Sequence, residues 1–224
     1  DVDYSLGNNF ADFASQFSKD SRYRTELYKL RRKFMSHADG LIHADLHTSN
    51  ILASRDKMKV IDMEFAFMGP FGYDLGYLVG NLISQYCAAC FKRFPSEQNR
   101  KQFKAYLLAT IQSLIETYMK TFTLCWERSV KERYRGQQGL LQSILQEVMV
   151  DMPGYASMVN WFRSVSDIPY PDFDVIENKD AKRNATVLSL MIDWGIMFGR
   201  YKYQSADDLI ETIIGIEEEF RKSL

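Results

Sequence analysis

Between Leu41 and Tyr77 the chain reads LIHADLHTSNILASRDKMKVIDMEFAFMGPFGYDLGY, and no other stretch limits the fold as tightly. Two apolar runs, Ile51-Leu52-Ala53 and Met58-Lys59-Val60-Ile61, are hinged at Arg55-Asp56-Lys57. Apolar runs bounded by polar turns have the pattern of a β-hairpin. Leu41-Ile42 is a short apolar entry, and residues 43–50 are polar and loop-like. Asp45 and Asn50 lead into the first hairpin strand, whereas Asp62 and Glu64 leave the second. Antiparallel pairing folds those ends together, so three acids and an amide are expected to meet in one cleft.

The residue types suit phosphoryl transfer. That reaction needs a carboxylate to orient the attacking hydroxyl, hard oxygen ligands for a metal, and a frame that holds both in line with the γ-phosphate. Asp45 followed five positions later by Asn50 has the spacing of a kinase catalytic loop, in which the Asp takes the substrate proton and the Asn binds metal. Asp62, at the end of the next strand, takes the place of a second metal-binding acid. Mg²⁺ prefers oxygen ligands, which Asn50, Asp62 and Glu64 supply. An isolated Asp-x4-Asn is common by chance; the same spacing followed by a hairpin and a second acid is far more specific.

The motifs HADLHTSNIL and VIDMEFAFMGPFGYDLG resemble those of the 5-methylthioribose kinase family. That family lies within the protein-kinase-like superfamily that also holds aminoglycoside and choline kinases. The resemblance implies a mainly α fold with a small β-hairpin (α+β), the C-terminal lobe of a kinase-like protein spanning residues 1–224. Within it, 43–50 would be the catalytic loop and 62–74 the metal and phosphate loop, followed by a helical remainder. It implies ATP as co-substrate, Mg²⁺ as cofactor, a homodimer, and phosphorylation of the sugar's anomeric hydroxyl in methionine salvage. Asp45 would be the catalytic base and contact the acceptor; Asp62, Met63 and Glu64 would meet the ATP phosphates; His43 and Asp74 would brace the loop. The family carries paired arginines in a late helix, where this chain has Met191-Ile192-Asp193-Trp194. Arg200 is taken as the nearest cation for the acceptor, with Arg183 also near. A kinase of this type also needs a nucleotide lobe with a phosphate-covering loop and a strand lysine. Nothing before His43 supplies either, so that lobe is expected to be absent here and the chain inactive alone.

Other readings of the same residues stand beside this one. The fold could serve another acceptor, such as an aminoglycoside, choline or homoserine, or a non-catalytic binding module. His43 and His47 flank Asp45 in a His-x-Asp-x-His pattern that also occurs at Zn²⁺ sites. Asp45 read as an ordinary turn acid is the bland alternative. A structural histidine that fixes the loop is favoured for His43.

Elsewhere the pattern is helical. Phe10, Phe13, Ala14 and Phe17 fall on one face of a first segment capped by Asn8 or Asn9, and Tyr23, Leu27, Leu30 and Phe34 on one face of a second. The span 75–89 is an apolar, buried helix. Pro95-Ser96-Glu97 starts a helix expected to run to Phe122, and another spans 126–150 with interruptions near Gly136 and Gly139. Asp151 to Lys179 holds three of the five prolines and reads as a long loop with one short helix over 156–165. Trp161, Phe162, Tyr170 and Phe173 in it are candidates to roof an acceptor pocket. Helices over 181–203 and 206–220, the latter with a Ser205/Asp208 capping box, close the chain. A net charge of −1 gives no nucleic-acid or membrane footprint. No apolar run approaches membrane-spanning length, and the three cysteines sit in helix-like sequence, so reduced thiols and a cytoplasmic location are expected.

Overall fold

The computed structural model describes residues 19–165 and 171–224. The expected helix around Phe10–Phe17 lies outside them, as does Tyr170. Helix α1 spans Ser21–Ser36, and the Asp20 carboxylate caps it by accepting from the Arg22 and Tyr23 N–H groups. Tyr23 and Leu30 are buried on its inner face, and the helix stops at His37.

Four short strands follow: β1 (Gly40–Ile42), β2 (Ile51–Ala53), β3 (Met58–Val60) and β4 (Phe67–Gly69). β2 and β3 form the expected antiparallel hairpin, with Ile51 opposite Val60 and Ala53 opposite Met58. Its turn is closed by the Ser54 N–H donating to the Lys57 carbonyl at 2.8 Å. A second ribbon was not expected: β1 pairs antiparallel with β4, Gly40 opposite Gly69 and Ile42 opposite Phe67. Phe65-Ala66-Phe67 lacks the alternation that marks a strand, so this pairing rests on non-local contact.

The rest is helical: α2 (Gly72–Phe91), α3 (Glu97–Ser129), α4 (Gln138–Val165), the one-turn α5 (Pro171–Asp174), α6 (Lys179–Gly199) and α7 (Ala206–Ser223). The core sits among α2, α4 and α6, where Val79, Ile83, Met152, Ala156, Leu188 and Ile192 are fully buried. α2 packs most extensively on α4. A Cβ at Gly76 would fall 2.6 Å from the Met152 carbonyl oxygen, and one at Gly80 would strike the Ala156 backbone. Glycine at both positions lets the two helix backbones touch. The capping box at the start of α7 is present, the Asp208 carboxylate accepting the Ser205 N–H at 2.9 Å.

Two sequence expectations are corrected. The helix begun at Glu97 does not end near Phe122; it carries Trp126 and stops at Ser129, and the break falls at 130–137 around Gly136, whose φ is +77°. Residues 151–155 are not loop, and the short helix expected over 156–165 is the end of a longer one: α4 runs through Pro153. A proline inside a helix costs about 3 kcal/mol. Burying one large apolar side chain returns about 1.5–3 kcal/mol. Met152, Tyr155 and Ala156 are all buried beside Pro153, so packing wins over local propensity. Among the described residues no helix is long and apolar enough to cross a membrane.

Candidate active site

Loop 43–50 is gripped by one face of α2. Asp74, in its first turn, accepts the backbone N–H groups of His43 at 2.6 Å and Ala44 at 3.0 Å. One turn on, Tyr77 donates its hydroxyl to Asp45 Oδ1 at 2.7 Å. A turn further, Asn81 Oδ1 accepts from the Thr48 N–H at 3.0 Å and its hydroxyl at 2.7 Å. Spacings of three and four residues place Asp74, Tyr77 and Asn81 in one row along the helix. Burial, and then the Asp45 charge, push the Tyr77 phenol well above its ordinary range, so it remains a donor.

A second set of bonds ties the loop to the hairpin. His43 Nδ1 accepts the Asp45 N–H at 3.3 Å, which leaves Nε2 to donate to the Ile61 carbonyl at 2.8 Å. The Ile61 N–H donates to the Asn50 carbonyl at 3.0 Å, and Asn50 Nδ2 donates to the Asp45 carbonyl at 3.1 Å. Both His43 nitrogens are therefore engaged in holding backbone, not turned outward to a metal. His47 Nε2 lies 3.5 Å from Asp45 Oδ2. Ala44 and Asp62 have φ of 68° and 66°, the only non-glycine residues of positive φ among those described. For alanine this backbone costs about 1–2 kcal/mol, and such strain concentrates at functional sites.

Asp45 is half-buried and Asn50 buried, while Asp62, Met63 and Glu64 are exposed beyond β3. Among the described residues no three His, Cys, Asp or Glu side chains converge closely enough to cage a metal. Asn50 does fit a metal that completes its shell with water and phosphate, because its amide nitrogen is tied back to Asp45. Its carbonyl oxygen is then the end left to ligate, and with Asp62 the donor set is oxygen alone, as Mg²⁺ prefers.

Arg200 is elsewhere. It is 2% exposed, and its guanidinium donates to the Glu26 carboxylate at 2.7 Å and the Val150 carbonyl at 3.1 Å, with Asp151 at 3.7 Å. Bound on several sides in the core, it ties α6 to α1 and α4 and has no face for an acceptor. Of the four aromatics expected over a pocket, Phe173 is buried in the core, and Trp161 and Phe162 line a cavity from α4. Tyr77 and Asn81 were not singled out from sequence. The recurrence of polar residues at 74, 77 and 81 in an otherwise apolar helix was the available signal.

With this geometry in place, the relatives are informative. The profile of the phosphotransferase enzyme family matches residues 9–114. Over 214 residues the chain is 31% identical to a methylthioribose kinase of Geobacillus thermodenitrificans (strain NG80-2), covering 94% of this chain and 52% of that protein. The chain is a relative of the methylthioribose kinases. A second, from Geobacillus kaustophilus (strain HTA426), is 32% identical over 205 residues, 90% of this chain and 49% of its own. Methylthioribose kinase 2 of Oryza sativa subsp. japonica is 29% identical over 209 residues, 88% of this chain and 48% of its own. The chain spans about half the length of these curated kinases. Its helical architecture with two small ribbons is that of a C-terminal lobe in a kinase-like fold.

Proposed function

We propose that this chain is the C-terminal lobe of an ATP-dependent kinase that phosphorylates the anomeric hydroxyl of 5-methylthioribose, a step of methionine salvage. The observation that carries the reading is the doubly anchored loop: Asp45 is held by Tyr77 from one side and by the His43–Ile61 and Asn50 bonds from the other. The names of its relatives support this choice of acceptor.

In this reading Asp45 Oδ2 receives the proton of the acceptor hydroxyl as its oxygen attacks the γ-phosphorus. The bond to the β-bridging oxygen breaks, and ADP leaves. Asn50, Asp62 and Glu64 would hold Mg²⁺, which when bound would neutralise charge on the phosphates. Met63 would lie against the nucleotide. His43 and Asp74 touch no substrate; they fix the loop that presents Asp45. The work is positional and electrostatic, because phosphoryl transfer leaves little covalent chemistry to the protein. Leu52 and Met58 on the hairpin, and Met63 and Phe65 beyond it, are exposed. A nucleotide lobe closing over the phosphates would cover them. A homodimer and a cytoplasmic location belong to the same proposal.

The test is Asp45→Asn in the kinase, with ADP release read against 5-methylthioribose. Turnover is expected to fall by about 10²–10⁴-fold, the usual contribution of general-base assistance. Turnover close to the parent's would end the assignment. The family's arginine-bearing segment corresponds here to residues around Asp193, which is fully buried and has no cation bonded to it among the described residues. That observation favours a related acceptor as the second reading, and a panel of hydroxylated acceptors in the same assay separates the two.

A further inference from the structure

Asn81 ends the row of α2 residues that grips the loop, and it is fully buried. The Thr48 N–H can only donate, so the Asn81 amide turns its oxygen to the loop. There it accepts that N–H at 3.0 Å and the Thr48 hydroxyl at 2.7 Å. Thr48 opens the single 3₁₀ turn Thr48–Asn50, and Asn50 closes it. The first N–H groups of a helical turn have no partner within it, and the side chain of the residue ahead commonly supplies one. His47 holds that place and makes no such bond. Asn81 supplies the cap instead, from a helix 33 positions along the chain. The amide nitrogen of Asn81 is buried and has no acceptor among the described residues. An aspartate would accept the same two bonds and strand no donor, but it would bury a charge in the row that already holds Asp74. Asparagine accepts twice without adding one.

We infer that Asn81 is a positioning residue for the metal end of the loop: by capping the Thr48–Asn50 turn it fixes where the Asn50 side-chain oxygen is presented. The metal at Asn50 comes from the kinase reading, on which this assignment rests. Three tasks then separate along α2. Asp74 holds the backbone at 43 and 44, Tyr77 holds the Asp45 carboxylate, and Asn81 holds the turn that ends on Asn50. A turn this short has few bonds of its own and poor bond geometry, so its place is set from outside. Asn50 is also tied through Nδ2 to the Asp45 carbonyl and through its carbonyl to the Ile61 N–H. Those bonds join it to the rest of the loop and to the hairpin; Asn81 joins its turn to the helical body. Residues one step out from a metal commonly change its affinity about 10- to 100-fold when removed.

The experiment compares the parent with Asn81→Leu and Thr48→Val, first by amide hydrogen exchange of the chain. Exchange at 48–50 should quicken about 10-fold or more in Asn81→Leu, and about 2- to 10-fold in Thr48→Val, which loses the hydroxyl bond alone. The His43 and Ala44 amides, held by Asp74, should exchange as slowly as in the parent. Mn²⁺ binding to the kinase with ATP is then followed by electron paramagnetic resonance. Half-saturation should rise about 10-fold or more in Asn81→Leu and about 2- to 10-fold in Thr48→Val. In turnover Asn81→Leu should need more Mg²⁺ and recover most of its rate as the metal is raised, whereas a fault at Asp45 persists at any metal concentration. Thr48 is exposed, so its variant carries the test if the buried substitution unfolds the chain. Unaltered exchange at 48–50 or an unaltered Mn²⁺ half-saturation in the folded variants would overturn the assignment, as would a turnover deficit that saturating metal does not repair. Mn²⁺ binding that depends on Asn81, with no ADP released by the parent, removes the kinase reading alone.

Discussion

The Asp74 carboxylate accepts the Ala44 N–H at 3.0 Å, at a residue whose φ of 68° few L-amino acids adopt. The same carboxylate holds the His43 N–H, so one side chain fixes the turn that aims Asp45. Asp74→Ala would strand both donors, each costing about 1–3 kcal/mol. A loss of about 2–4 kcal/mol is expected from the urea midpoint, and Asp74→Asn should recover part of it because its amide oxygen still accepts. A loss below about 1 kcal/mol would show that water replaces the brace.

Tyr77→Phe removes one hydrogen bond to a carboxylate and leaves the ring in place. Bonds to charged groups contribute about 1.5–3 kcal/mol, so turnover should fall about 10- to 100-fold while the Michaelis constant for ATP holds. An unchanged kcat would mean that Asp45 is oriented without it.

Arg200→Ala tests stability, not acceptor binding. Burial works to raise the Glu26 carboxyl, but hydrogen bonds from Lys29, Tyr201 and Arg200 outweigh it and hold the group down at about 2. Removing one partner of a buried pair costs about 3–5 kcal/mol. The folded-state value lies below the unfolded one, so this contribution is present above pH 4.5 and is lost as pH falls towards 2. The variant should therefore unfold at lower denaturant at pH 7, with the difference from the parent shrinking in acid, and bind acceptor normally once folded.

Asp193 behaves in the opposite sense. It is fully buried on α6, with Asn160 Nδ2 donating to Oδ1 at 2.7 Å and no partner at Oδ2 among the described residues. Burial pushes its carboxyl well above the ordinary value, and the Asn160 bond only partly opposes this. The folded state thus holds a proton that the unfolded chain releases, and stability declines as pH rises past the unfolded value. Asp193→Asn should make the protein more stable at pH 7 and flatten that decline in thermal melts between pH 4 and 8. A less stable variant would show that the ionised carboxylate is needed.

The hairpin and most of the helices were legible because their signals are local: apolar runs around Arg55-Asp56-Lys57, and apolar residues at helical spacing from Tyr23 to Phe34. The β1–β4 ribbon was not, because its partners are brought together only when the intervening 24 residues fold. Pro153 misled for a related reason. Its local preference is real, and the burial of Met152 and Tyr155 that overrides it belongs to α1, α2 and α6 as much as to α4. Within the site, Asp45, Asn50 and Asp74 were visible as motif residues, whereas Arg200 was chosen by position in the chain and lies in the core. The contribution of Tyr77 required knowing which face of α2 meets the loop.

Because Gly76 and Gly80 bring α4 against the helix that carries Asp74, Tyr77 and Asn81, the reaction loop and the far wall of the cavity are mounted on a single stiff joint. The separation of the Asp45 loop from α4 is thereby set by how closely the two helix backbones approach at these glycines. A methyl group at either would force the two helices apart and shift the loop relative to α4 without touching the loop itself.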